Sequence, residues 1–373
     1  MKEKGKRICI FTQRYLNKIV SRCVIYEFEN TIFNIDDADI IGIGEESTFS
    51  AYRYSCDTLD LKLSNPVIKA LSPNPLRISP KKQELRKDYD VFFASLMSLS
   101  DLQTLDFLKG WKSKCKKLVC HVSEIWSEGL EARTGELKAL SQFDYVFCSC
   151  YYTVELLQRL INKPCYYLPP GIDAVTFCPY PNPPERSVDV FYVGRRSQEI
   201  HQQLTKLSDE NNLFYLYDTI NNLETNDTVE HRKLLSNIIK RSKYFVVNTA
   251  KFDRPNEISG QSEIGFRFFE GAAAGSVMIG NYLIGDVFKK YFDWTDALIN
   301  IPEKSSISDF LKELDEQVQR TDTIRFNNVV NMLKYHDWLH RWDTILDIIG
   351  EKPHYISDKR RGELNALINS LRG

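Results

Sequence analysis

Four prolines packed into the stretch FCPYPNPPERS, at positions 179, 181, 183 and 184, most constrain how this chain can fold. A proline ring fixes φ and removes a backbone donor, so none of these positions can lie in a helix interior or a central strand. A new apolar run, VDVFYVG, starts immediately afterwards. The stretch therefore predicts a linker near 175–187 between two units, each long enough for an ordinary domain.

Both units alternate apolar strand-like runs with helix-like segments. Before the linker these runs are RICIFT, ADIIGIG, DVFFAS, KLVCHV, YVFCSC and CYYLPP; after it come DVFYVG, LFYLYD, YFVVNT and SVMIGN. Several are apolar on both faces, as strands of a sheet covered on both sides are. The pattern predicts an α/β chain with right-handed crossovers. From about residue 305 the periodicity becomes wholly helical: ISDFLKELDEQVQR, then TIRFNNVVNMLKYHDWLHRWDTILDIIG, then RRGELNALINSLRG. The expected division is 1–178, 187–335 and a set of terminal helices, 336–373, that could cross back to the first unit. His336, Asp337, His340 and Arg341 cluster with Trp338 and Trp342, which fits a packed helix with aromatic anchors.

Composition narrows the partners. Hydrophobic content of 43% and charged content of 27% describe a globular chain, and a net charge of −1 provides no field to recruit nucleic acid. The basic start KEKGKR is too short for a nucleic-acid arm. No apolar run has the roughly 18 residues a transmembrane helix needs, and no signal-peptide core follows the start. Peripheral membrane contact stays compatible with this. The nine cysteines show no zinc spacing and suit reduced core thiols, so the expected compartment is the cytoplasm.

In open parallel sheets ligands bind at the carboxyl ends of strands, beside helix N-termini. In the second unit that rule selects Gly194, Arg195 and Arg196 after the first strand, with guanidinium groups suited to phosphate. It also selects Asn248 at the end of YFVVNT, Lys251 in the loop beyond, and the turn Gly260–Gln261–Ser262, read as opening a helix whose free amides suit a diphosphate. Ser262 would also serve as an N-cap. Along SEIGFRFFEGAAAGSVMI, Glu263, Arg267 and Glu270 fall on one helical face of an otherwise apolar segment. Glu263 and Arg267 have the spacing of an ordinary i,i+4 ion pair. Glu270 could accept both hydroxyls of a ribose. In the first unit, KLVC ends at His121, followed by Ser123, Glu124 and Trp126. A neutral imidazole there could serve a sugar hydroxyl.

Together these residues resemble the GT-B glycosyltransferases of the "glycosyl transferases group 1" type, including the branch of spore-maturation CgeB-like proteins. The resemblance covers most of 88–345. It implies two Rossmann-like domains facing a cleft, with an N-terminal acceptor-binding domain and a C-terminal nucleotide-sugar-binding domain. Glu270 followed by GAAAG is similar to the family's ribose-binding carboxylate. FYVGRR is similar to the first strand of its nucleotide domain, whose arginine meets the donor diphosphate. LPPGIDAVTF, at 168–177, matches the passage into the linker. His121 takes the position of a histidine near the donor sugar. The family's first carboxylate lies eight residues before the second, which is Ser262 here, so the role shifts to Glu263. FTQRYLNK replaces the family's glycine-rich loop.

The implied activity is transfer of a sugar from a nucleotide sugar, of the UDP or GDP type, to a hydroxyl of a glycan or related acceptor. It would be metal-independent and retaining, with no cofactor. Three alternatives stand beside it. One is a nucleotide-sugar 2-epimerase of the same fold. Another is a metal-dependent GT-A enzyme, using Asp37-Ala38-Asp39 or Asp88-Tyr89-Asp90 as an Asp-x-Asp site. The third is a non-catalytic nucleotide-sugar sensor.

Overall fold

The computed structural model describes residues 6–43, 82–210, 212–220, 222–280, 285–302 and 306–371. Gly44, Cys56, Asn281 and most of the basic start, all part of the sequence reading, lie outside the described residues.

Two main parallel sheets lie on either side of the proline-rich stretch. In the first, β1 (Ile8–Thr12), β2 (Ala38–Gly42), β3 (Tyr89–Ser98), β4 (Cys115–Glu124), β5 (Tyr145–Cys148) and β6 (Cys165–Tyr167) run in the order β2-β1-β3-β4-β5-β6. In the second, β7 (Val188–Tyr192), β8 (Tyr215–Tyr217), β9 (Ser242–Val246), β10 (Val277–Gly280) and β11 (Ile299–Asn300) run β8-β7-β9-β10-β11. All ten apolar runs of the sequence form strands. The two-residue edge strand β11 lies in ALINI, an apolar run outside the ten selected, and pairs with β10.

Reversal of strand order around the first strand of each sheet creates a crevice at the strands' carboxyl ends. The two crevices face each other. Between β1 and β2 runs α1 (Cys23–Ile35), and α2 (Val154–Ile161) follows β5. In the second lobe α3 (Thr228–Lys240) precedes β9, and α4 (Phe266–Ala273) precedes β10. Helix α4 packs tightly because its small residues permit it. A Cβ on Gly271 would lie 2.7 Å from the Phe245 ring and 3.0 Å from Met278.

The terminal helices are α5 (Val318–Asn331), α6 (Trp338–Ile348) and α7 (Ser357–Ser370). The single helix expected through HDWLHRW is broken. A π-turn spans Met332–His336, and Asp337 is extended, capping α6 through its side chain to the Leu339 amide. The break turns Trp338 and Trp342 back onto the first lobe. Trp338 stacks on Phe28 of α1 with ring centroids 4.4 Å apart, and its indole N–H donates to Glu27 at 2.8 Å. Trp342 donates to Asp36 at 2.8 Å.

Both Asp-x-Asp triplets lie at the amino ends of strands, opposite the crevice. Asp39 accepts from the Tyr89 hydroxyl, and Asp90 pairs with Lys116. No group of three metal-ligating side chains occurs among the described residues. The GT-A alternative does not fit a chain with two facing sheets.

Candidate functional site

A cleft of about 460 Å³ separates the lobes. Its first-lobe wall comes from the strand ends: Met97 on β3, Ser123, Glu124 and Trp126 at or after β4, and Ser149 and Cys150 after β5. Its second-lobe wall holds Gly194 and Arg195 after β7, Asn248 and Lys251 after β9, and Gly265–Arg267 and Glu270 of α4. Seven of the eleven residues selected from the sequence therefore share one hollow: Gly194, Arg195, Asn248, Lys251, Glu263, Arg267 and Glu270.

Gly194 has φ of +84°, a conformation that L side chains rarely adopt, and this lets β7 turn directly into the cleft. Arg195 then reaches Asp253 at 3.0 Å, and Lys251 reaches Glu257 at 3.2 Å while lying 5.3 Å from the Trp126 ring centroid. These partners are themselves substantially exposed. Both cations can exchange them for phosphate oxygens at small cost. Asn248 is oriented by its amide donation to the Tyr192 hydroxyl at 2.5 Å.

The helix start differs from expectation. Gly265, not Ser262, precedes the first turn, with extended dihedrals of −78° and 162°. The backbone from Gln261 to Ile264 is non-helical, held by the Ala250 N–H donating to the Glu263 carbonyl. The free amides of α4 that line the cleft therefore belong to the Gly265–Arg267 segment. Gly260 and Ser262 stay outside the lining. Arg196 also stays outside: it pairs with Asp218 and lies 5.6 Å from the Tyr217 ring centroid.

Glu263 is not part of the helical face. Its carboxylate crosses to the first lobe and accepts the backbone N–H groups of Tyr151 and Tyr152, at 2.8 and 3.1 Å. It is 1% exposed, and burial pushes its pKa up to about 7 against these two hydrogen bonds. Arg267 pairs instead with Glu270, three residues on, at 2.5 Å. Glu270 also receives Arg232 on its other oxygen. Burial would raise the Glu270 pKa, but Arg267 and Arg232 outweigh it and hold the group at about 2.

His121 lies behind the cleft wall. It is 2% exposed, with Nδ1 3.0 Å from the Ser95 hydroxyl and Nε2 2.9 Å from the Ser149 hydroxyl. Burial lowers its pKa to about 3, so the ring is neutral. The expected contact with donor sugar is not what this geometry offers, since only Ser149 of that trio lines the cleft.

Arg232 and Glu27 escaped the sequence reading. Arg232 shares a helix face with Leu235, Ser236 and Ile239, all buried. An arginine in register with apolar positions was the available signal. Glu27 sits in CVIYEFENTIFNI, a helix buried almost all round, where any carboxylate must have partners.

These geometries define a class: two Rossmann-like lobes with strand ends, helix amides and cations converging on one cleft, the GT-B fold of glycosyltransferases. A family model described as "Glycosyl transferase-like" matches residues 196–347, spanning most of the second lobe and α5–α6. Among solved structures, the chain resembles an alpha-glucosyltransferase in complex with UDP and a 13-mer DNA (TM-score 0.53, 13% identity, covering 93% of this chain and 100% of that one). It also resembles HepE of Anabaena in complex with UDP-glucose (0.51, 12%, 93% and 100%) and a sucrose-phosphate synthase from Thermosynechococcus elongatus (0.50, 11%, 92% and 98%). At such identities the likeness shows the fold. No curated protein sequence gives a significant match. Among the described residues, no helix is long and apolar enough to cross a membrane.

Proposed function

We propose that the protein moves a sugar from a nucleoside-diphosphate sugar to a hydroxyl acceptor, with the donor seated on the second lobe. The carrying observation is that Arg195, Lys251, the first amides of α4 and Glu270 all line one cleft. Departure of the nucleoside diphosphate concentrates negative charge on its phosphates. Two cations with exchangeable partners and the start of a helix stabilise that charge. Glu270, ionised and fixed by two guanidinium groups, keeps lone pairs for a ribose. Closure of the two lobes over the donor would exclude water from the reacting carbon.

Cations at the diphosphate position supply the charge stabilisation a divalent metal would otherwise give, which supports metal-independent transfer with no further cofactor. Retention of configuration and a place in the CgeB-like branch follow from the sequence resemblance. UDP is favoured because similar structures hold UDP or UDP-glucose. One of these also holds DNA, but a net charge of −1 gives this chain no general attraction for phosphate backbones, so a glycan is the favoured acceptor. A cytoplasmic location is part of the same reading.

The test is turnover in EDTA with UDP- and GDP-sugars, with and without oligosaccharide acceptors, reading nucleotide release and product anomer. Acceptor-dependent release supports transfer. Isomerised sugar with donor alone would replace it by epimerisation, and tight donor binding without any product would leave a sensor.

A further inference from the structure

The cleft carboxylate Glu270 is tied to the opposite lobe through a buried chain of charge. Arg232 of α3 gives one guanidinium nitrogen to Glu270 and, through Nε, donates to Glu27 of α1 at 2.5 Å. Arg232 is 5% exposed. Glu27 is a meeting point for the parts of the molecule around the interlobe passage. Its second oxygen accepts the Asp173 backbone N–H, just after β6, and the Trp338 indole N–H, each at 2.8 Å. One first-lobe carboxylate is thus bonded to the exit from the first sheet, the returning terminal helix and the second lobe's arginine.

We infer that Glu27 is a positioning residue for the donor site: it fixes Arg232, which fixes Glu270, so the ribose-binding carboxylate is set only when the lobes stand in this arrangement. The inference rests on the donor reading above and adds a residue of the opposite lobe to it. The physical ground is the contrast between the two arms of Glu270. The Arg267 arm comes from the same helix and is one-third exposed, so it follows Glu270 wherever the second lobe goes. The Arg232 arm is buried and shared with α1, so its direction changes once the lobes separate. Arg232 retains its proton because Glu27 and Glu270 flank it against the burial that opposes its charge. A fixed, charged fork between two carboxylates transmits direction as well as charge.

Glu27→Gln is a selective probe. The amide keeps a carbonyl for Asp173 and Trp338 but lacks the charge that holds Arg232. UDP binding would be measured by calorimetry on the full chain for wild type, Glu27→Gln, Glu270→Gln and the double variant, with melting temperatures alongside. Gln261→Ala serves as a control, because Gln261 joins the lobes outside this chain by accepting from Ser127 at 2.7–2.9 Å and donating to Thr153 at 3.0 Å. Glu27→Gln should weaken UDP about tenfold, and should add nothing once Glu270 is Gln, because its effect passes through that carboxylate. Gln261→Ala should weaken UDP equally in both backgrounds. Equal loss from Glu27→Gln in both backgrounds, or no loss in either, overturns the inference. If Glu27→Gln fails to fold, Arg232→Lys, which keeps the charge without the fork, runs the same cycle with the same expected non-additivity. Normal UDP binding by Glu270→Gln overturns the donor reading itself, and this inference with it.

Discussion

The cations of this protein fall into two regions that behave differently. At the mouth of the cleft, Arg195 and Lys251 hold partners that are themselves partly exposed. Behind it, Arg232 is enclosed between two carboxylates that water barely touches. Exposed ion pairs contribute about 0–1 kcal/mol and exchange readily, whereas removing one member of a buried set strands the others. The mouth is therefore suited to a ligand that arrives and leaves. The buried set is suited to holding the two lobes in register.

Arg232→Ala should break that contrast most sharply. It leaves Glu27 and Glu270 buried without their shared cation, and should destabilise the protein by about 3–5 kcal/mol in denaturant unfolding. A loss under about 1 kcal/mol would move Arg232 into the exchangeable class. Arg195→Ala should do the reverse. Its stability change should stay below about 1 kcal/mol, while affinity for UDP falls roughly 10- to 100-fold through a lost charged hydrogen bond. Unchanged UDP affinity would remove Arg195 from the proposed donor site.

A pH-dependent effect concerns the carboxylates themselves. Glu263 has a pKa raised to about 7, so the native state holds its proton more tightly than the unfolded chain does. Its contribution to stability is highest near pH 4.5 and below, and falls as pH rises toward about 7. Glu270 is depressed to about 2, so its contribution is present above pH 4.5 and lost as pH falls toward 2. Glu263→Gln should flatten the decline between pH 4.5 and 7 in unfolding curves measured across that range. An unchanged profile would mean that Glu263 titrates normally and is not held between the lobes.

Much of the second-lobe wall of the cleft could be read from the chain because each part is local. A glycine after an apolar strand, a polar loop after another, and a carboxylate followed by GAAAG keep their meaning within a dozen residues. The start of α4 was misplaced for a local reason as well. Ser262 is a good cap, but Ala250 draws the Glu263 carbonyl into an extended path, so the helix waits for Gly265. His121 was misjudged because the apolar run KLVC stops there in sequence, whereas β4 continues to Glu124 and buries the ring between serines that no sequence pattern reveals.

Strand-and-helix alternation and the proline-rich passage by themselves determined two α/β lobes, because apolar periodicity and the missing donors of proline act over short distances. The tertiary structure alone decided which charges meet. Glu27, Arg232 and Glu270 are separated by 205 and 38 positions, and Glu263 meets backbone amides 111 and 112 positions away. No sequence period links such positions. They find one another because burial leaves a charged group no solvent, and only a partner brought by the packing of two lobes can replace it.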